Sequence, residues 1–296
     1  MRQPFIIFLL LAAFAANWEH ATSADANGDI QRKETIAVLG TGDMGDSFGP
    51  RLAALGYRII YGSRSPNSNT VRDLVERTGH AASATTAEAA TQQADIILLA
   101  LPWPAMEKVV QGLGDLDGKI LIDISWPPTR YADDGFEEIA IDTSAAELIQ
   151  SWQPGAYVVK AFLTIGSNVI DDPTFAGGPV SIPIASNYRR AKEKVGQLAA
   201  QLGLDPVDVG PLRFARNIEA MTELMLVPYA QGRDEGWNFY FRRTNYFVCN
   251  PYEGDGSNNT PPRTIDADNL AEMPTTQPPL PPCPDQRTSN SASIDD

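Results

Sequence analysis

The chain has 296 residues, enough for one large domain or two small ones and for a sizeable core. Its formal net charge of -14 argues against nucleic acid or an anionic membrane surface as a partner. Beyond the first residues no stretch reaches about eighteen apolar positions, so no transmembrane segment is expected in the mature chain.

Residues 1–26 read as a secretory signal peptide. Arg2 supplies a short positive region and residues 5–16 an apolar run too short to span a bilayer. Thr22-Ser23-Ala24 or Ala24-Asp25-Ala26 then offers small residues for cleavage. The expectation is an exported protein, periplasmic or secreted; without a signal it would be cytoplasmic.

Residues 35–66 carry the most specific pattern. An apolar run, Ile36 to Leu39, leads into Gly40-x-Gly42-x-x-Gly45, after which Phe48, Leu52 and Leu55 recur at helical spacing up to Gly56. A second apolar run, Ile59-Ile60-Tyr61, ends in Gly62-Ser63-Arg64. Strand, tight turn, helix and strand over about thirty residues make a βαβ unit of dinucleotide-binding size. Gly40 permits the sharp turn, Gly42 lets backbone N–H groups approach a pyrophosphate, and Gly45 lets the helix lie close to the sheet. The helix N-terminus then receives the anion.

The tip of the second strand selects the dinucleotide. An acid there would accept from a ribose 2′-OH, whereas Ser63-Arg64-Ser65 offers a guanidinium and two hydroxyls to a 2′-phosphate. NADP is the expected cofactor. Export would take this site to a compartment where the dinucleotide is expected to be scarce.

The alternation continues. Helices are expected over 70–77 and 86–93, with a weak strand over 81–84 between them. A wholly apolar strand over 96–101 stops at Pro102-Trp103-Pro104. A helix over 105–111 precedes a strand over 120–124, which stops at Ser125-Trp126-Pro127. Open α/β sheets bind ligands beyond the carboxyl ends of their strands, so Trp103 and Trp126 are expected either to flank the nicotinamide cleft or to pack as part of the core rim.

Residues 131–142 form an acidic connection with four carboxylates and no His or Cys nearby. It reads as a solvated loop, and no metal centre is expected. Ser144 caps a helix over 145–150, with Glu147 placed for a capping box. A strand over 157–164 ends in polar residues. Lys160 would meet an anionic group of the acceptor or cofactor, or stand solvated at the strand end. Thr164 would donate to the nicotinamide amide or begin the next helix. A strand over 180–185 with Pro183 suggests an edge position. A helix over 188–202, a strand over 205–209 and a helix over 212–227 follow.

The segments VLGTGDMG, YGSRSP, ADIILLALPWPAM, LIDISWPP and DTSAAELIQSWQPGAYVVKAFLTIG resemble the NADPH-dependent coenzyme F-420 reductase family. They are also similar to the reductase portion of the six-transmembrane metalloreductases. The resemblance covers roughly residues 35–225. It implies a Rossmann fold with a small C-terminal α/β extension, hydride transfer between NADPH and an 8-hydroxy-5-deazaflavin, and often a homodimer.

Carried over by position, Thr41, Gly42, Asp43 and Met44 would hold the pyrophosphate, and Ser63 and Arg64 the 2′-phosphate. Leu101 and Pro102 would line a ribose, and Ala161 would lie near the nicotinamide. Trp103, Ser125, Trp126, Lys160, Phe162 and Thr164 are candidates for the pocket of a small redox acceptor, a deazaflavin or flavin. The family commonly has Asn where Leu163 stands, and Pro50 falls in a helix that tolerates it only in the first turn or at a kink.

The domain organisation expected is therefore a signal peptide (1–26), an NADP-binding Rossmann domain (35–170), an α/β extension packed on it (171–245) and a disordered Pro/Asn-rich tail (246–296). Cys249 and Cys283 both fall in the tail, either bridged or free.

Overall fold

In chain order the elements are β1 (Thr35–Leu39), α1 (Asp43–Ala54), β2 (Arg58–Gly62), α2 (Asn69–Thr78), β3 (Ser83–Thr85), α3 (Ala87–Gln92), β4 (Ile96–Leu99), α4 (Trp103–Gln111) and β5 (Ile120–Asp123). They continue with β6 (Thr129–Tyr131), β7 (Glu137–Ile139), α5 (Ala145–Trp152), β8 (Tyr157–Lys160), α6 (Ser167–Asp171), β9 (Ser181–Ala185), α7 (Arg189–Gln201), β10 (Asp205–Gly210) and α8 (Ala215–Ala230). This computed structural model describes residues 34–233 and 236–242. The expected signal peptide, the tail from residue 246 and both cysteines lie outside the described residues.

Eight strands form one sheet in the order β10-β9-β8-β5-β4-β1-β2-β3, the α/β Rossmann arrangement expected. Neighbours pair in parallel except β8 and β9, which meet antiparallel at a single residue pair, Lys160 and Ala185. Alternate residues of each central strand point to opposite layers. Ile36 and Val38 join the layer containing Phe48, Leu52, Val195 and Leu198, and Ala37 and Leu39 the layer containing Met106, Val110 and Ile149. Both faces of β4 are buried, which is why its sequence carries no alternation.

Short polar residues cap three of the helices, α2, α3 and α5. Ser68 accepts from the Val71 amide, Thr86 from the Ala89 amide and Ser144 from the Glu147 amide. α1 continues through Pro50, which sits in its interior rather than in its first turn. The residues 181–210 add β9 and β10 to the same sheet, so the strands of the C-terminal segment extend the central one.

Several expectations are corrected. β3 begins at Ser83 because His80 and Ala81 adopt positive φ. β9 lies between β8 and β10 rather than at an edge; its single contact with β8 leaves Pro183 without a full ladder on that side. The acidic connection is a hairpin, β6 with β7, in which Glu137 accepts from the Thr129 hydroxyl and Glu138 from Arg130, while Asp133 and Asp134 are exposed. The strand expected to run to residue 164 stops at Lys160, and the chain turns at Phe162 with φ of +58°.

Candidate functional site

β1 runs directly into Gly40, whose φ is +110° and where a Cβ would lie 2.1 Å from the Ala100 carbonyl oxygen. A Cβ at Gly45 would lie 2.2 Å from the Gly40 carbonyl oxygen, so the start of α1 presses on the turn below it. Gly42 is different. Its φ is -84°, available to any residue, and a Cβ there would meet nothing within 4 Å. Neither backbone nor packing requires glycine at 42, whereas a ligand lying against this backbone would. Thr41 lies in the same turn, half-buried. No side chain caps α1, so its leading N–H groups remain available to an anion.

At the tip of β2 the Ser63 amide donates to the Thr85 carbonyl at 2.9 Å, and the Ser63 hydroxyl accepts from the Ser65 amide. Arg64 is exposed, and no described residue pairs with it. Its guanidinium is therefore available beside the turn.

A pocket of about 400 Å³ opens at the carboxyl ends of β1, β4, β5 and β8. α1 packs in one layer and α4 in the other, so this is the switch point of the sheet, where the crevice between oppositely directed crossovers receives ligands. Gly42, Asp43 and Met44 form one wall and Ala100 and Leu101 another. Ser125, Trp126, Phe162, Leu163 and Met225 close the far side. Phe162 meets Phe48 of α1 edge-on, with centroids 5.2 Å apart. Asp43 is the only ionisable residue among the lining residues. The buried Ser125 hydroxyl has no hydrogen-bond partner among the described residues.

Beneath this pocket lies an ionic cluster. Lys160 Nζ is 2.9 Å from Asp123 Oδ2 and 2.9 Å from Glu219 Oε1, all three side chains are buried, and Nζ also donates to the Ser125 carbonyl at 2.8 Å. Burial works against the Lys160 ammonium, but Asp123 and then Glu219 outweigh it and hold the group above its ordinary range. Burial pushes the Glu219 carboxyl upward; Lys160 opposes that, and Asp123 adds to it.

Three pocket candidates are corrected. Lys160 is neither solvated nor on the pocket wall, because it is neutralised beneath it. Trp103 opens α4, and the helix carries its indole onto Trp152, with centroids 5.7 Å apart; only Trp126 of the two tryptophans lines the pocket. Thr164 is fully buried and absent from the lining, as is Ala161, whose amide donates to the Asp123 carbonyl. Pro102 precedes α4 and is exposed.

Ile165 and Gly166 line the pocket without having been singled out by the sequence, and Met225, from the helix expected over 212–227, joins them. Asp123 and Glu219 were not singled out either. Glu219 did carry a signal, since it shares a face with Ala215, Ile218 and Thr222 at helical spacing, and all of these are buried.

Residues 35–127 match the family model described as NADP oxidoreductase coenzyme F420-dependent. The F420-dependent NADP reductase of Methanothermobacter marburgensis is 32% identical over 211 residues, which cover 64% of this chain and 90% of that protein. The chain belongs to this family. The F420-dependent NADP oxidoreductase family sets the class, an NADP-dependent oxidoreductase, and the cofactor, NADP. The residues present suit that cofactor: Gly42 faces open space, α1 has no side-chain cap, and neither Arg64 nor the buried Ser125 hydroxyl has a partner among the described residues.

A crystal structure of an F420-dependent NADP reductase candidate from Arthrobacter sp. FB24 superposes with a TM-score of 0.64 at 27% identity, covering 71% of this chain and 100% of that one. The metalloreductase STEAP3 of Rattus norvegicus is 30% identical over 201 residues, 65% of this chain. The chain spans 37% of that metalloreductase's length.

Proposed function

We propose that this protein passes hydride between NADPH and a flat, flavin-like acceptor, coenzyme F420 being the first candidate, with both rings in the pocket at the switch point. The observation that carries this reading is the pocket's composition. A dinucleotide turn opens directly onto Trp126, Phe162, Leu163 and Met225, with no histidine, lysine or arginine among the lining residues. The dihydronicotinamide supplies the hydride chemistry when bound, and the protein's part is positioning and exclusion of water.

In this reading Gly42 and the start of α1 receive the pyrophosphate and Ser63 and Arg64 receive the 2′-phosphate. The apolar wall orders one ring against the other. No side chain has to move a proton. The Ser125 hydroxyl, buried and unpartnered, offers a hydrogen bond to an amide or carbonyl at the pocket floor. Support for F420 itself comes from the name of the Methanothermobacter relative, and support for a metal-reducing role through a flavin from that of STEAP3. Export remains part of the proposal on the strength of residues 1–26, and so does a homodimer on the family resemblance.

A second reading is favoured by Leu163. The family resemblance places Asn there, and here a 5% exposed leucine meets the pocket instead. A protein that holds NADP without passing hydride would not need that amide. NADPH oxidation measured with deazaflavin, FMN and ferric acceptors separates the two: turnover with one of them supports the enzyme, and NADPH binding without turnover supports the binding module.

A further inference from the structure

The cluster under the pocket holds two acids and one base. Both oxygens of each acid face donors. Asp123 Oδ1 accepts from the Ser125 amide at 2.8 Å and Oδ2 from Lys160; Glu219 Oε1 faces Lys160 Nζ and Oε2 accepts from the Ala145 amide at 3.0 Å. Lys160 favours the charged form of Glu219, while burial and the neighbouring Asp123 push that carboxyl upward. Counted formally, two carboxylates stand 2.9 Å from one ammonium, a surplus of one negative charge, offset in part by the N-terminus of α5 at Ala145.

A structural tie has no use for the surplus. Elsewhere in the same fold Lys192 is balanced by a single acid, Asp208, at 2.9 Å. Uncompensated charge in an interior is costly, and this one lies under a ligand pocket: Lys160 Nζ bonds the Ser125 carbonyl, and Ser125 lines the wall.

We infer that the surplus negative charge of Asp123, Lys160 and Glu219 favours the cationic, oxidised nicotinamide over the neutral, reduced one in this pocket. Asp123 and Glu219 are then positioning residues that act through their field and bias bound NADPH toward giving up its hydride. The inference rests on the reading that NADP occupies the pocket. The two redox forms differ at the ring by one positive charge, and one unit charge about 10 Å away at an effective dielectric of about 20 changes their relative affinity about tenfold.

The test is calorimetric titration of the full-length protein with NADP⁺ and with NADPH, comparing wild type, Glu219→Gln and Asp123→Asn. Each substitution removes the same charge from a different element. The expected result is an increase of about tenfold in the ratio Kd(NADP⁺)/Kd(NADPH) for each variant. A purely structural role weakens both forms by one factor and leaves the ratio unchanged, which would overturn the inference. A ratio that falls does the same. Loss of folding in both variants, read by circular dichroism, also overturns it, because the charge would then serve the fold and not the ligand. If wild type binds neither form, the cofactor reading fails and the inference with it; binding with an invariant ratio defeats the inference alone.

Discussion

Lys160 Nζ and Asp123 Oδ2 lie 2.9 Å apart at the ends of neighbouring strands, with neither side chain reaching solvent. Removing the base leaves two buried acids without their counter-ion. Lys160→Met should lower stability by about 3–5 kcal/mol, the usual cost of stripping one partner from a buried pair, as measured by urea unfolding. The pH dependence follows from the raised Lys160 pKa. A group held above its unfolded value contributes in full below the ordinary lysine range and loses that contribution as pH rises through the higher folded value. This pair should therefore add no loss of stability between neutrality and about pH 10.

Gly42 and Gly45 should respond in opposite ways to alanine. Gly42→Ala meets nothing within 4 Å and suits its backbone, so thermal stability should stay within about 0.5 kcal/mol while NADPH affinity falls. Gly45→Ala drives a Cβ toward the Gly40 carbonyl and should destabilise the fold by about 1–3 kcal/mol. Differential scanning calorimetry beside NADPH titration checks both. Loss of fold stability in Gly42→Ala would remove the argument for a ligand there.

Arg64 is free to bind a phosphate, with no described residue competing for its guanidinium. Arg64→Ala should weaken NADPH by about tenfold or more and NADH little, since charge-assisted hydrogen bonds contribute about 1.5–3 kcal/mol. Equal weakening of both, measured by fluorescence titration, would refute the assigned phosphate role.

Glu147 joins α5 to α8. Its carboxylate accepts from Arg216 at 2.7 and 2.9 Å and from the Ser144 and Thr143 hydroxyls, and the Arg216 bond above all holds it below the usual glutamate range. A depressed folded pKa gives stability that is present above the unfolded value, near 4.5, and lost as pH falls through the folded one. Glu147→Gln should therefore lower the melting temperature at pH 7, and the difference from wild type should vanish in strong acid. A difference that persists unchanged at low pH would show that the charge is not responsible.

The dinucleotide half was legible because its constraints are local. Its apolar runs and the glycines at 40 and 45 carry much of their reason within a few residues. The pocket was harder to read. Trp103 and Trp126 look alike in sequence, each beside proline after a strand, but α4 starts at Trp103 and rotates it toward Trp152. Lys160 read as a polar strand end because its partners come from β5 and from a helix 59 residues later, and only the fold brings Asp123 and Glu219 to it. The β6–β7 hairpin escaped notice because three-residue, half-exposed strands leave no alternation to detect.

Phe162 is a fully buried aromatic residue with a left-handed backbone, at φ of +58°. Glycine or asparagine would adopt that conformation more easily, and for a bulky side chain the penalty is about 1–2 kcal/mol. The fold tolerates the penalty at one point, where the ring touches Phe48 of the nucleotide helix on one side and the ligand cavity on the other. Backbone comfort is surrendered there and the aromatic surface is kept. Phe162→Gly would relax the turn, yet it would remove the aromatic ring that lies between Phe48 and the pocket.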